Sequence, residues 1–495
     1  MRVAAFLSLL TILFSSGIAE LNAQTLTFGV GCREAYEGIL ELDDARYQRL
    51  RSKALAEGEQ EEAILLLDHF NDFLITFISE SKAAFDNMQK LKDARVLRIN
   101  KSNLAQHEKN FIQAEILLQS GLCALKFSKW ISGVTDIRKA TQLLEWNKSK
   151  HPDYPYTYKS LGLIHALIST IPSELSWATR LAGMNGSLQV GVGELDYFDR
   201  FAKANGDIFL LESAACKAYV SAYLENKPKE GFRLFESKLA DYDPSPLITF
   251  VQSRLAMKAG QNDAALNRLQ ALPAHLKKRL PFLYYLEGIC RLQRLDLNAK
   301  NYFNDFLFLD KGSSYKKECY QKLSWIALLM DEQKSWENYR KLCLNAGNAL
   351  LDEDKQAHDE MLMGLKPDTV LLKARLLCDG SYADRAYELL TPKMKSYYLN
   401  PKWRLEAVYR MGRICQLKNL SAEALHYFQD AWDFDLTHSD PMSCNAVLQS
   451  GLIYEALGDY HQAEDKYRKV LQLKPRQYGR SLHQKAKAGL SRIQK

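Results

Sequence analysis

Residues 446–475 read AVLQSGLIYEALGDYHQAEDKYRKVLQLKP, and their spacing decides the fold. Apolar residues recur at the period of an amphipathic helix on both sides of a Gly-Asp turn. Small or aromatic residues and a final proline occupy the diagnostic positions of a period of about 34 residues: Gly451, Tyr454, Gly458, Tyr460, Ala463, Tyr467 and Pro475. This spacing predicts two antiparallel helices that cross where the small side chains let the backbones approach.

The pattern is identified as that of a tetratricopeptide repeat, a unit that buries its apolar face only by stacking on neighbours. Two other segments repeat it, at Gly412, Ala424 and Phe428 and at Gly121, Gly133 and Ile137. The 13 prolines and 25 glycines are too few for the frequent turns of an all-β protein. We therefore predict an all-α, right-handed superhelical solenoid of antiparallel helix pairs, interrupted by a helical hairpin insertion.

The chain divides by composition and by the quality of the repeats. The acidic residues 350–363 predict a linker or a polar outer face. Six segments follow from this division: a signal peptide at 1–23, an N-terminal repeat region at 24–200, a hairpin insertion at 172–198, degenerate repeats at 201–400, two clear repeats at 401–475 and a basic capping helix at 476–495.

The first residues have the three parts of a secretory signal: Arg2, a short apolar run and small residues before Gln24. We predict cleavage after Ala23 and export to the periplasm or envelope of a Gram-negative bacterium. A lipoprotein form attached at Cys32 is the alternative, although Gly29 stands where leucine is usual. No later segment is long and apolar enough to span a membrane.

The net charge of +7 is concentrated at the C-terminus. Seven basic residues and no acidic residue occupy the last 22 positions, while the rest of the chain is balanced. A nucleic-acid partner is therefore not expected, because such a solenoid spreads positive charge along a whole face. The apolar stripe of Leu482, Ala486, Leu490 and Ile493 favours a capping helix, and contact with an acidic membrane surface is the alternative.

Two passages resemble a particular family. These are AEILLQSGLCALKFSKWISGVTDIRKATQLLE from Ala114 and GLIHALISTIPSELSWATRLAGMNGSLQVGVGELDYF from Gly162. They resemble the tetratricopeptide-repeat-39 and inclusion-body-clearance family of eukaryotes, and also exported, uncharacterised repeat proteins of Gram-negative bacteria. The resemblance implies a helical scaffold with no established enzyme activity.

No catalytic motif, cofactor motif or metal-ligand spacing occurs in the sequence. The nine cysteines include no CxxC pair and are better interpreted as buried thiols than as a disulfide framework, although a pair or two stays possible in an oxidising compartment. We therefore predict no enzyme activity, no cofactor and no metal. A hydrolase subunit is the alternative, which a buried acid, base and nucleophile within hydrogen-bond reach would indicate.

The function predicted is a non-enzymatic scaffold that binds a protein or peptide in a concave groove. First-helix positions of the two clear repeats supply the groove: Glu406, Tyr409, Arg413, Gln416, Asn445, Leu448, Leu452 and Glu455. Solvated helix surface is the alternative interpretation of these residues. The alternative function is a carrier whose hairpin closes over an apolar small molecule or lipid, with a pocket formed by Trp177, Leu181, Met184 and Val190.

Overall fold

The computed structural model describes residues 24–168, 186–240, 242–477 and 479–493. Within these residues the regular structure is helical, and the extended pairing is limited to one isolated bridge between Gln24 and Leu104. Most consecutive helices are joined by short turns and pack on each other, so they run antiparallel. The chain is an all-α array of tetratricopeptide-like helix pairs, as the spacing predicts.

The described residues form two compact units, and the boundary lies within helices. Residues 24–164 and 193–213 belong to the first unit, and residues 165–168, 186–192 and 214–493 belong to the second. The first helices along the chain are α1 Val30–Leu40, α2 Asp44–Ala56, α3 Glu61–Ser79, α4 Lys82–Lys101, α5 Gln106–Lys126, α6 Trp130–Lys150, α7 Tyr156–Ile168, α8 Leu188–Asn205 and α9 Leu210–Tyr219.

A π-helical turn, Val220–Leu224, follows α9 directly, and a 3₁₀ turn, Thr391–Lys393, occurs later in the second unit. The helices of this unit are α10 Pro228–Glu236, α11 Pro246–Lys258, α12 Asn262–Ala271, α13 Ala274–Lys277, α14 Phe282–Gln293, α15 Ala299–Leu309, α16 Lys316–Leu329, α17 Gln333–Asn345, α18 Asp352–Met363, α19 Thr369–Asp379, α20 Ala383–Leu390, α21 Met394–Tyr398, α22 Arg404–Leu417, α23 Ser421–Phe434, α24 Pro441–Ala456, α25 Tyr460–Gln472 and α26 Gly479–Ile493.

The deciding stretch folds as its spacing predicts, with α24 and α25 crossing at Gly451. A Cβ atom there would lie 2.8 Å from the ring of Tyr467, which is completely buried. Between the helices, Gly458 has a φ of +78°, a backbone conformation that favours glycine. The preceding pair repeats the crossing, because a Cβ at Gly412 would lie 2.7 Å from Phe428. Small residues therefore set how closely each pair packs.

The acidic segment 350–363 is not a linker, so the first of its two predicted interpretations is wrong. Most of it forms α18, and Asp354 is fully buried. The carboxylate of Asp354 accepts hydrogen bonds from the backbone N–H groups of Tyr315 at 2.6 Å and Glu318 at 3.0 Å. It therefore satisfies donors at the start of α16 that have no partner within that helix.

The C-terminal helix closes the last repeat. Leu482 and Ala486 of α26 are buried in one apolar cluster with Tyr467 and Val470 of α25. Basic side chains accompany this apolar stripe, so α26 covers the end of the array without an exposed apolar face. Among the described helices, none has the length and hydropathy needed to cross a membrane.

Candidate binding site in the second unit

The residues predicted to form the groove lie in different surroundings. Leu448 is completely buried in the core of the last repeat, so it is not a groove residue. Glu406 forms an ion pair of 3.2 Å with Arg410, and Gln416 is half-buried. Leu452 packs against the same core as Leu448 and is partly buried.

Tyr409 and Asn445 meet between the two clear repeats. The amide of Asn445 donates a hydrogen bond to the Tyr409 hydroxyl, although the two residues lie on α22 and α24. Tyr409 is buried, and Asn445 is half-buried. The contact shows that these faces of α22 and α24 point into the same space, as the repeat positions predict.

Arg413 lies one helical turn after Tyr409 on the same face of α22. Its guanidinium is enclosed by protein, and its Nε atom is buried without a hydrogen-bond partner. No carboxylate in the described part of the chain forms an ion pair with Arg413. The guanidinium is hydrogen-bonded to Tyr409 and Cys378, so it is only the buried Nε–H that calls for a ligand or a functional explanation.

Three other basic residues lie near Arg413. Arg254 and Lys258 occupy successive turns of α11, and Lys485 lies on α26. Like Arg413, none of the three forms an ion pair within the described residues. We name the four residues the cationic cluster: Arg254, Lys258, Arg413 and Lys485.

The electrostatics of Lys258 show that these charges are close together. Burial, and then the positive charges of Lys485, Arg413, Arg254 and Arg492, together lower the pKa of Lys258 to about 8. The side chain is nevertheless accessible to water. A side chain in a concave site combines these two properties, because protein lies on several sides of it while part of its surface stays open to water.

Lys485 is likewise accessible to water and close to other protein groups. Its side chain is exposed, yet burial, and then the charge of Arg413, lower its pKa. Glu353 and Asp352 at the start of α18 oppose this shift. They lie beyond ion-pair distance, so the positive charge of the cluster is only partly compensated.

Tyrosines form the wall around Arg254. The phenol groups of Tyr223, Tyr219, Tyr315 and Tyr285 are its main electrostatic neighbours, and the Lys258 Nζ atom lies 5.0 Å from the centre of the Tyr223 ring. Arg254 also borders a cavity of about 230 Å³ whose other charged or aromatic lining residues are Tyr285, Tyr315, Glu318, Lys322, Trp325, Glu353, Arg375 and Asp379. The cavity therefore presents cations, carboxylates and hydroxyl groups.

Arg492 and Glu455 hold α26 in place beside the cluster. The Arg492 guanidinium donates to both carboxylate oxygens of Glu455, at 2.6 and 2.7 Å, and to the carbonyl oxygen of Leu224 at 2.8 Å. The Tyr467 hydroxyl also donates to Glu455. Glu455 was predicted as a partner-binding residue, but these bonds give it a structural role.

The described residues offer little for catalysis or for a metal. No group of three potential metal ligands occurs among them. The nine cysteines are free thiols, and burial raises the pKa of Cys290, for example, to about 12, which keeps the thiol protonated and poorly nucleophilic.

The alternative apolar pocket is not supported by the described residues. Trp177, Leu181 and Met184 lie outside them, and the side chain of Val190 is 45% exposed. In the first unit, a groove of about 630 Å³ lies along α4, α5 and α6. Its Lys92 is paired with Asp136 at 2.9 Å, so this groove lacks the uncompensated charge of the second unit.

Several solved structures are similar to this chain along most of its length. The human IFIT1 dimer with m7Gppp-AAAA has 12% identity, a TM-score of 0.36 and coverage of 92% of each chain. Yeast Tom70 has 12% identity and a TM-score of 0.33, covering 89% of this chain and 91% of that chain. The apo form of the quorum sensor NprR from B. thuringiensis has 11% identity and a TM-score of 0.25, covering 88% of this chain and 96% of that chain.

We transfer no contact, ligand or function from these structures, because both the identities and the TM-scores are low. No protein-family model matches the chain, and no curated protein matches it. The resemblance to the tetratricopeptide-repeat-39 and inclusion-body-clearance family therefore stays a prediction.

Sequence reasoning found Arg413 but missed Arg254 and Lys258, and it assigned Lys485 only to the basic cap. One local signal was present, since Arg254 and Lys258 are one helical turn apart and therefore share a face of α11. Nothing in the sequence indicated that the charges of Arg413 and Lys485 act on Lys258.

Proposed function

We propose that the protein is a non-enzymatic repeat scaffold that binds an acidic segment of a protein partner at the cationic cluster. The observation that carries the proposal is a set of four basic side chains that form no ion pair among the described residues; two of them, Lys258 and Lys485, are exposed and have a lowered pKa. Carboxylates of a partner would supply the missing counter-charge, and the surrounding tyrosines would supply hydrogen bonds and apolar contact.

The test is capture of partners by residues 24–495, beside a variant carrying Arg413→Gln and Lys485→Gln. The matched control carries Lys474→Gln and Arg480→Gln, which remove the same charge from exposed positions near the C-terminus. Circular dichroism first establishes that all three proteins are folded.

We expect one discrete acidic protein to be captured by the wild-type and control chains and lost from the cluster variant. Capture should also weaken as salt concentration rises, because salt screens such contacts. Equal capture by all three proteins would show that the partner binds elsewhere and would overturn the proposal.

We also propose that the chain is exported and cleaved after Ala23. The support is the three-part pattern of its first residues. Mass spectrometry of the protein recovered from envelope extracts should find Gln24 at the N-terminus. A chain that keeps its initial residues and stays in the cytoplasmic fraction would contradict export.

A further inference from the structure

We infer that the cavity lined by Arg254 and Trp325 in the second unit binds a small zwitterion, a molecule that carries both an ammonium group and a carboxylate. The cavity has a volume of about 230 Å³, which is below the roughly 300 to 1,000 Å³ of sites for drug-sized ligands. The inference goes beyond the proposed function, because this ligand is a free small molecule and not a segment of a protein. Neither Arg413 nor Lys485 is among the described residues that line the cavity, so the two proposals can fail independently.

Part of the cavity lining is apolar and firmly held. Leu286 of α14, Trp325 of α16 and Leu376 of α19 line it and are each at most 3% exposed. Charged groups lie against the Trp325 ring, with the Lys322 Nζ atom 4.1 Å and the Arg375 guanidinium 4.6 Å from its centre. An apolar surface with a few polar groups placed around it is the usual composition of a small-molecule site.

The charges that line the cavity are balanced. Three cations and three carboxylates contribute to the lining: Arg254, Lys322, Arg375, Glu318, Glu353 and Asp379. A ligand with a net charge of either sign would leave an excess of that sign in the cavity, which costs free energy. The lining therefore favours a ligand without net charge.

Three of these charges already have partners. Glu318 accepts a hydrogen bond from the Tyr285 hydroxyl at 2.5 Å and pairs with Lys322 at 2.9 Å. Arg375 pairs with Glu360 at 3.3 Å. These bonds fix the wall of the cavity, and they leave three charges of the lining for a ligand.

The remaining charges have opposite signs and come from three helices, with Arg254 on α11, Glu353 on α18 and Asp379 on α19. Arg254 is hydrogen-bonded to Tyr219, but none of the three charges forms an ion pair in the part of the chain that the structure describes. Opposite charges that line one cavity without contacting each other leave room between them for a molecule that carries both. Its carboxylate would pair with Arg254, and its ammonium group with Glu353 and Asp379.

The cationic cluster does not take the place of that ammonium group. Glu353 acts to raise the pKa of Lys485, and Asp379 that of Arg413. Both carboxylates nevertheless lie beyond ion-pair distance of these two cations. Each carboxylate therefore keeps acceptor oxygens for a ligand in the cavity.

The experiment is calorimetric titration of residues 24–495 with glycine, β-alanine, γ-aminobutyrate and ε-aminocaproate, zwitterions whose two charges lie progressively farther apart. Each zwitterion is compared with the carboxylate and the amine of the same chain length, which carry only one of the two charges. We expect one member of the series to bind saturably. Its affinity should exceed that of either single-charge analogue at least about ten-fold, as expected for one additional charge-assisted contact.

Two variants test the two ends of the ligand separately, after circular dichroism has established that they are folded. Arg254→Gln should weaken binding of the zwitterion and of the carboxylate analogue at least about ten-fold. The double variant Glu353→Gln with Asp379→Asn should weaken binding of the zwitterion and of the amine analogue by a similar factor. Lys474→Gln and Asp465→Asn, which remove the same charges at exposed positions outside the cavity, should leave binding unchanged.

Tryptophan fluorescence gives a second readout. Binding should change the emission of the chain, and Trp325→Phe should abolish the change, whereas Trp130→Phe, at an exposed position of the first unit, should keep it. Should a cavity variant fail to fold, the comparison of zwitterion and analogues on the wild-type chain still decides. Failure of the whole series to bind, equal affinity for a zwitterion and its single-charge analogues, or equal loss in the exposed controls would overturn the inference.

Discussion

Burial lowers the pKa of both Lys258 and Lys159, but their counter-charges differ. Lys159 in the first unit is paired with Glu115 at 2.8 Å and with Glu212 at 2.6 Å. Burial alone would lower its pKa, and the two carboxylates reverse this and raise it. Lys258 has no such partner, and its pKa falls to about 8. The paired lysine has its counter-charge within the fold, while the unpaired one is a residue that we propose for binding.

The pairing of Lys159 predicts a large loss of stability for Lys159→Met. The substitution leaves Glu115, which is 3% exposed, and Glu212 without a counter-charge. We expect the free energy of unfolding to fall by about 3 to 5 kcal/mol in urea titrations. Adding Glu115→Gln and Glu212→Gln should restore much of it. The control Lys82→Met, at an exposed pair with Asp86, should cost about 1 kcal/mol or less.

The lowered pKa of Lys258 predicts a pH dependence of stability. Its ordinary pKa is 10.5 and its folded value is about 8, so between these limits the unfolded chain binds more protons. The contribution of Lys258 therefore makes the folded state more stable as pH rises through this window. After allowance for solvent screening, we expect an effect on the order of 1 kcal/mol.

Urea titrations at the two ends of this window measure the pH effect. The comparison of wild type with Lys258→Gln isolates it from the titration of other lysines and tyrosines. An equal change with pH in the two proteins would contradict the assignment of Lys258.

At the scale of helices, the repeated contact is a glycine against an aromatic ring of the paired helix. Gly451 with Tyr467 and Gly412 with Phe428 occupy the same positions in successive repeats. The rings fill the space that a side chain on the glycine would need, so the two residues depend on each other. Local spacing specifies these pairs because both members lie within one repeat.

Gly451→Ala should therefore destabilise the last repeat. The added methyl group would stand 2.8 Å from the Tyr467 ring and 3.3 Å from Lys466, and overpacking of this kind costs about 1 to 3 kcal/mol. Gly193→Ala is the control, because nothing lies within 4 Å of its added methyl group. There the better helix propensity of alanine should stabilise by up to about 1 kcal/mol. Thermal unfolding of both variants checks the opposite signs.

The position of α26 depends on Arg492, which joins it to Glu455 and to Leu224 of the π-helical turn. Arg492→Gln should loosen both contacts. Hydrogen exchange measured by mass spectrometry should become faster in residues 479–493 and in residues 220–224. Faster exchange in α26 alone would contradict the link to the π-helical turn.

At the scale of the whole molecule, the two compact units each contain their own ion pairs and core. The cationic cluster belongs to the second unit. A ligand that binds only the folded form stabilises the region whose opening destroys its site. A saturating acidic partner should therefore slow hydrogen exchange in α11, α22 and α26 and leave α2, α3 and α5 unchanged. Uniform slowing in both units would contradict binding at the cationic cluster.

How far the sequence predicted the site differs from residue to residue. The repeat frame placed Tyr409, Arg413 and Asn445 on one face because position within a repeat fixes direction. The repeat frame placed Leu448 in the groove, but its apolar side chain is buried in the core of the last repeat. The repeat frame also placed Glu455 in the groove, because position within a repeat does not show that Arg492 of the capping helix donates to this carboxylate.

The sequence by itself determined the helix pairs, because the residues that specify each pair lie within one period and meet whatever the rest of the chain does. Tertiary structure alone decided that the charges of Arg254, Arg413 and Lys485 act on Lys258. These residues are far apart in the chain, and their distance depends on the packing angles between successive pairs and on the seating of α26. Small differences in packing accumulate along the array, and no local pattern encodes their sum.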